Sequence, residues 1–240
     1  MADLLYVSDV SPYQHHHADP GAPGTPDAPG GRTMAGVHQS LGSAATALAE
    51  IAGLNDLGFR HATRAADITP ADLEAARLLV LFTIGETPWG ADQRATIERR
   101  AAEGDLGIVG LHAATDAAYG WPAIGNLLGG RFNGHPITGS LPITVVDPDH
   151  PATAHLRSPW RFTDELYLFR ELVPDARVLL AVEFGGTSVG RLPLAWCVER
   201  TPMRSFYTAL GHFVAAYEDA DYLQHVRGGI EWVLGRPSAG

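Results

Sequence analysis

The stretch Gly107-Ile108-Val109-Gly110-Leu111-His112-Ala113-Ala114-Thr115-Asp116 decides the fold class. A short apolar run bounded by glycine reads as a fully buried strand of a parallel sheet. A small-residue, helix-compatible segment follows it, and open α/β sheets bind ligands at the carboxyl ends of such strands. His112 therefore falls where a sheet of this kind keeps its chemistry. The plain alternative is a histidine that only caps the strand, and spacing alone does not separate the two.

The same pattern recurs on the amino-terminal side. Residues 4–7, 59–63, 78–82 and 106–111 read as strands, three of them continuous apolar runs. Helical stretches lie between them. Leu41, Ala44, Ala45, Leu48, Ile51 and Ala52 form one stripe at helical spacing. Thr69-Pro70-Ala71-Asp72 joins an N-cap threonine, proline at the first helical position and an acid in the first turn. Residues 91–102 carry a weaker, alanine-rich stripe. Strands alternating with helices predict an α/β fold: a flavodoxin-like, doubly wound, mostly parallel sheet between helices.

After Trp121 the rhythm changes. Runs at 141–146, 165–172, 178–184, 194–199 and 204–210 predict additional antiparallel strands beside the parallel core. A turn at Asp147-Pro148-Asp149-His150-Pro151 leads into an expected short helix, with His150 in a structural role. A last helix places Leu223, Val226, Ile230 and Val233 on one stripe and stops at Gly235 and Pro237. Residues 8–36 form a long loop rich in proline, glycine and histidine, a length usually functional or disordered. Its insert at 19–32 is expected to act as a lid, and His15, His16 and His17 read as exposed loop histidines. No linker divides the rest, so residues 1–240 are expected to form a single domain.

Composition narrows the function. The chain has 240 residues, a net charge of −10, and 17 basic residues that are all arginine. That balance argues against a nucleic-acid partner, which would need a basic face. No run approaches the roughly 20 apolar residues of a membrane span, and no signal segment is visible, so a cytoplasmic protein with no membrane partner is expected. The single cysteine, Cys197, excludes an internal disulfide framework and sits mid-strand among apolar neighbours, as an inert thiol does. Gly186-Thr187-Ser188-Val189-Gly190 matches a nucleophile elbow, but Arg191-Leu192-Pro193-Leu194 after it reads as a strand rather than the helix an elbow needs, so a hairpin turn is expected.

The 11 histidines say more. His38, His112, His135, His150 and His212 lie at strand ends or in structured turns. His212 closes Arg204-Ser205-Phe206-Tyr207-Thr208-Ala209-Leu210-Gly211 and repeats the logic of His112. Two such histidines could converge across a crevice as general base, hydrogen-bond donor or metal ligand. Glu165 and Tyr167, two apart on an expected strand, share a face and could add a carboxylate and a phenol. The plainer reading of that pair is an acidic strand end with a tyrosine packed beneath.

An ordered series of motifs resembles the ThuA-like (trehalose utilisation) family. It runs through Gly110-Leu111-His112-Ala113-Ala114, Leu128-Gly129-Gly130-Arg131-Phe132, His135-Pro136 and His150-Pro151-Ala152-Thr153. It continues with Asp164-Glu165-Leu166-Tyr167, Pro193-Leu194-Ala195-Trp196, Arg204-Ser205-Phe206-Tyr207, Leu210-Gly211-His212 and Gly229-Ile230-Glu231-Trp232. The resemblance implies a fold similar to the class I glutamine amidotransferases, with His112 where those enzymes carry a nucleophilic cysteine, so cysteine-dependent glutamine hydrolysis is not expected. It implies His112, His212 and Glu165 as catalytic residues, and Tyr167, Trp196, Arg204, His135 and His38 as substrate-binding ones. The substrate class implied is a keto-sugar or glycoside, handled by acid–base chemistry giving isomerisation, elimination or hydrolysis. A metal-assisted variant would use two histidines and Glu165 as ligands of zinc or a similar divalent ion. The alternative is a non-catalytic carbohydrate-binding or accessory protein for a sugar dehydrogenase, with Trp89, Trp121, Trp160 and Trp196 stacking on sugar. A homodimer is the commonest assembly for such a domain.

Overall fold

A computed structural model describes residues 2–11, 38–184 and 190–236. The loop histidines His15–His17, the 19–32 insert and positions 186–189 of the glycine-serine motif lie outside the described residues.

Among the described residues, the apolar runs become the parallel half of one nine-stranded sheet. β1 (Leu4–Val7), β3 (Leu78–Leu81) and β4 (Gly107–Leu111) are buried at every position, as strands covered on both faces must be. β2 (Phe59–Ala62) is the edge beside β1. The full order is β2-β1-β3-β4-β9-β8-β7-β5-β6. The first five are parallel, so the flavodoxin order is reproduced with β9 (Met203–Thr208) in the fifth place, where Leu111 aligns with Thr208.

Between β4 and β9 the chain inserts an antiparallel wing: β5 (Arg131–Val145), β6 (Trp160–Arg170), β7 (Arg177–Phe184) and β8 (Gly190–Arg200). Every pairing from β9 outward is antiparallel. This matches the expected change of rhythm, except that β5 begins at Arg131 rather than 141. Its first half, Arg131-Phe132-Asn133-Gly134-His135-Pro136-Ile137-Thr138-Gly139-Ser140, has two glycines and a proline, is mostly exposed and shows no clean alternation. Pairing with β6 holds it, through register shifts around Gly134, and pairing leaves no periodic trace in sequence.

The helices are α1 (Leu41–Leu54), α2 (Pro70–Ala75), α3 (Ala91–Glu103), α4 (Pro122–Leu128) and α5 (Ala220–Val233). α2 has the expected cap: the Thr69 hydroxyl accepts the Asp72 N–H at 3.1 Å while Asp72 accepts the Thr69 N–H at 2.8 Å. α1 and α5 lie side by side and line a shared groove of about 460 Å³. α2 and α3 are joined by Arg99 to Glu74 and by Arg100 to the Ala76 carbonyl at 2.6 Å. Two glycines of β4 show how tightly both faces are covered. A Cβ on Gly107 would sit 2.2 Å from Val233 of α5, and one on Gly110 would sit 2.6 Å from Leu128 of α4.

The sequence reading omitted α4, although proline at its first turn and Gly129 at φ +88° after it are helix signals. The segment after His150 is a run of turns rather than the expected short helix, with the Thr153 and Ala154 N–H groups both reaching the His150 carbonyl.

Candidate active site

The site begins at the end of β4. Leu111 is extended, His112 has φ +45°, and a 3-10 turn spans His112–Asp116. A non-glycine residue in the left-handed region costs on the order of 1 kcal/mol and persists only when its surroundings fix it. Here they do. The Tyr207 hydroxyl donates to the His112 carbonyl at 2.6 Å and lies 3.0 Å from Thr115 Oγ1. The bend turns the His112 ring off the strand end into a fully buried position.

One ring nitrogen of His112 is committed. Nδ1 lies 2.7 Å from the Ala209 carbonyl, which only accepts, so Nδ1 carries the proton and Nε2 of the neutral ring is the acceptor. Facing Nε2 are the Tyr167 hydroxyl at 2.9 Å, His212 Nδ1 at 3.1 Å and Glu165 Oε2 at 3.5 Å. Glu165 Oε2 is also 3.4 Å from His212 Nδ1, and its Oε1 is 3.6 Å from His135 Nδ1. Three proton-accepting atoms from β4, β6 and the loop after β9 thus share a space small enough to pass one proton among them.

The electrostatics follow from burial. Desolvation holds His112 well below the usual histidine range, with His38 adding to it, and lowers His212, with His135 adding to it. Desolvation pushes the Glu165 carboxyl up to about 7 and raises the Tyr167 phenol, with the Glu165 charge adding to it. At neutral pH the imidazoles are neutral, the phenol is protonated and can donate to His112 Nε2, and the carboxyl is poised between its two forms.

Other expected residues divide. The His38 ring, just before α1, centres 5.4 Å from that of His112 and 5.2 Å from that of His212. His135 stands at the mouth, 47% exposed, its ring near-parallel to that of Tyr167 at 6.0 Å. Trp196 and Arg204 are elsewhere. Trp196 is fully buried behind Tyr207, its ring 4.5 Å from that ring and its Nε1 donating to the Leu128 carbonyl at 2.8 Å. Arg204 lies near the start of β9, at the opposite end of that strand from His212, paired with Glu199 at 2.9 Å and stacked on Trp232 at 5.2 Å. Strand position explains both displacements: Trp196 points into the core, and Arg204 lies eight residues before His212, near the far end of β9. Trp89, Trp121 and Trp160 are at most 7% exposed and offer no ring face for stacking on sugar.

His150 is buried, with Nδ1 accepting the Ala152 N–H at 3.1 Å, and Cys197 is a buried thiol pushed up to about 11. Sequence reasoning missed Asp164, Ser40 and Gly211, which hold the loop after β9. The signal was present in the glycine before His212 and in the second acid beside Glu165.

Among the described residues, His38, His112 and His212 offer one ring nitrogen each within 4.8 Å of one another, a spacing that a metal ion could occupy. The Nδ1–H of His112 bonded to a backbone carbonyl is the outer-shell arrangement common to metal-bound histidines.

The sequence model of the ThuA family, described as trehalose utilisation, matches residues 31–233. No curated protein matches the sequence. A solved structure described as a ThuA-like protein, from Bacteroides uniformis ATCC 8492, is 18% identical with a TM-score of 0.69, covering 96% of this chain and 89% of that one. A second, from Parabacteroides merdae ATCC 43184, is 16% identical with a TM-score of 0.67, covering 100% and 93%. A protein described as part of a GMP synthase, from Thermoplasma acidophilum, is 11% identical with a TM-score of 0.51, covering 98% and 95%. At these identities the likeness is one of fold.

Proposed function

Because this chain belongs to the ThuA (trehalose utilisation) family, we propose that it acts on a keto-sugar or glycoside by acid–base chemistry at His112, His212 and Glu165. The observation that carries the reading is the convergence of His112 Nε2, His212 Nδ1 and Glu165 Oε2 within 3.1–3.5 Å of one another. A general acid or base works best with a pKa near the working pH, and the Glu165 carboxyl is pushed to about 7.

In a keto-sugar the C–H beside the carbonyl is the acidic bond. Glu165 or His212 takes that proton, and the electron pair moves onto the carbonyl oxygen as an enolate. Returning the proton to the former carbonyl carbon, while the hydroxyl on the carbon that lost it becomes the new carbonyl and its proton passes to the enolate oxygen, isomerises the sugar. Where the next carbon bears a glycosidic oxygen, the pair instead re-forms the carbonyl, expels that oxygen, and the same proton completes the leaving alcohol. His112 does not turn over its own proton in this scheme. Its Nδ1–H is spent on Ala209, and the one lone pair on its Nε2 accepts either the Tyr167 hydroxyl or a proton from His212. His135 at the mouth and His38 beside both histidines would contact substrate.

The test is turnover of a 3-keto disaccharide by the pure protein and by His112→Ala and His212→Ala. Both variants are expected to lose about 10²–10⁴-fold in rate while still binding. Wild-type binding without turnover would replace this reading with that of an accessory carbohydrate-binding protein.

The triad of histidine nitrogens supports a second reading, in which His38, His112 and His212 hold a divalent ion such as zinc and Glu165 stands beside it as the base. Burial favours the neutral form of His112 and His212, the form that binds metal. Metal analysis of protein purified without a nickel column decides it: near-stoichiometric metal, lost in His112→Ala, is the supporting result, and a metal-free active protein removes the reading.

A further inference from the structure

The site's groups are held relative to one another by a carboxylate on the other face of the strand that carries Glu165. Asp164 is fully buried. Its Oδ2 accepts the Gly211 N–H at 2.7 Å, and its Oδ1 accepts the Glu165 N–H at 2.8 Å and the His212 N–H at 3.4 Å. One side chain thus ties β6 to the loop that follows β9.

That loop is fixed at each peptide. The Ala209 carbonyl takes His112 Nδ1, and the Leu210 carbonyl takes the Tyr222 hydroxyl at 3.1 Å. The Gly211 carbonyl takes the Ser40 hydroxyl at 2.8 Å, two residues after His38. Gly211 has φ +114°, and a Cβ there would lie 2.4 Å from the Tyr222 hydroxyl oxygen. The loop can therefore meet Asp164 only as this glycine allows. We propose that Asp164 is a positioning residue whose carboxylate locks the His212 backbone to β6 and so sets the spacing between His212, Glu165 and His112. The inference rests on the acid–base reading of that cluster.

Chemistry explains why the group is a carboxylate. Three N–H donors converge on it, and both of its oxygens must accept. An asparagine supplies one accepting oxygen and turns an N–H₂ against the remaining donors. Burial raises the Asp164 pKa to about 7 against the pull of those N–H groups, and that cost is tolerated where the clamp stands. A purely structural clamp would stabilise the loop without moving the imidazoles.

Asp164→Asn in the full chain separates the two. Histidine-ring NMR should show the His112 and His212 signals and their titrations displaced, with those of His150, which touches none of these groups, unchanged. Turnover should fall on the order of 10- to 100-fold in kcat with KM little altered, as for a small misplacement of reacting groups. A folded Asn variant with wild-type His112 and His212 signals overturns the proposal. Should that variant not fold, amide exchange in the wild type decides: Gly211 and His212 amides as slow as those of the sheet core support the clamp, and loop-like rates overturn it. A wild type that lacks turnover but whose Asn variant shifts both rings would remove the acid–base reading and leave the positioning intact.

Discussion

Glu165 costs the fold stability in the form its chemistry uses. Burial raises its pKa from 4.5 to about 7, so the folded chain binds this proton more tightly than the unfolded one. Its stabilising share is fully present below about pH 4.5 and is lost as pH rises through 7. Above that window the buried charge costs on the order of 2–3 kcal/mol. Glu165→Gln is therefore expected to unfold at higher temperature than the wild type at pH 8, to match it near pH 4, and to lose turnover at both. A variant less stable than wild type at pH 8 would mean that the histidines stabilise the carboxylate more than burial penalises it. The residues of this cluster were legible one at a time: His112 and His212 as strand-end histidines, Glu165 and Tyr167 as same-face partners. Trp196 and Arg204, which only the family resemblance brought in, stand apart from this cluster, because an aromatic or basic residue in a strand carries no sign of which end of the sheet, or which side, it will face.

At the scale of elements, what reads clearly is what makes its own signal. α1 shows its stripe, α2 its capping box and β1, β3 and β4 their unbroken apolar runs. The first half of β5 was invisible because its stability lies in hydrogen bonds to β6. α5 shows how packing overrules local preference. Gly228 sits mid-helix, where alanine is favoured by about 1 kcal/mol on propensity alone. A Cβ at that position would lie 2.3 Å from the Pro151 carbonyl oxygen, a backbone atom that cannot rotate away. Overpacking of this kind costs about 1–3 kcal/mol or more, so Gly228→Ala is expected to lower the free energy of unfolding in urea. A stabilised variant would mean that the 150–155 turns yield easily to the helix.

For the molecule as a whole, opposed titrations set the response to acid. His61, His112, His150, His212 and His225 are all lowered by burial, His150 to about 4 and His225 to about 3. Each contributes stability that is complete above about 6.5 and is lost as pH falls towards its folded value. Asp164 and Glu165 act in the opposite direction between about 4 and 7. Among the described residues, five histidines against two carboxyls leave the unfolded chain binding more protons, so stability should rise with pH between about 4.5 and 6.5. Urea unfolding at the two ends of that window measures it, and an equal midpoint at both would show that the carboxyls balance the histidines.

The sheet's curl was the part of the architecture least open to sequence. β6 stands five strands from β4 in the sheet order, about 24 Å away if the sheet were flat. Yet the Tyr167 hydroxyl is 2.9 Å from His112, so the wing closes back over the strand ends. The division of labour this creates is modular. The parallel core supplies an elbow and its histidine, while an insertion spanning 131–200 delivers the carboxyl and the phenol from outside. Exchanging that insertion between relatives would transplant half a reaction centre in one contiguous piece of chain, and would leave the elbow waiting for whatever partner the new wing brings.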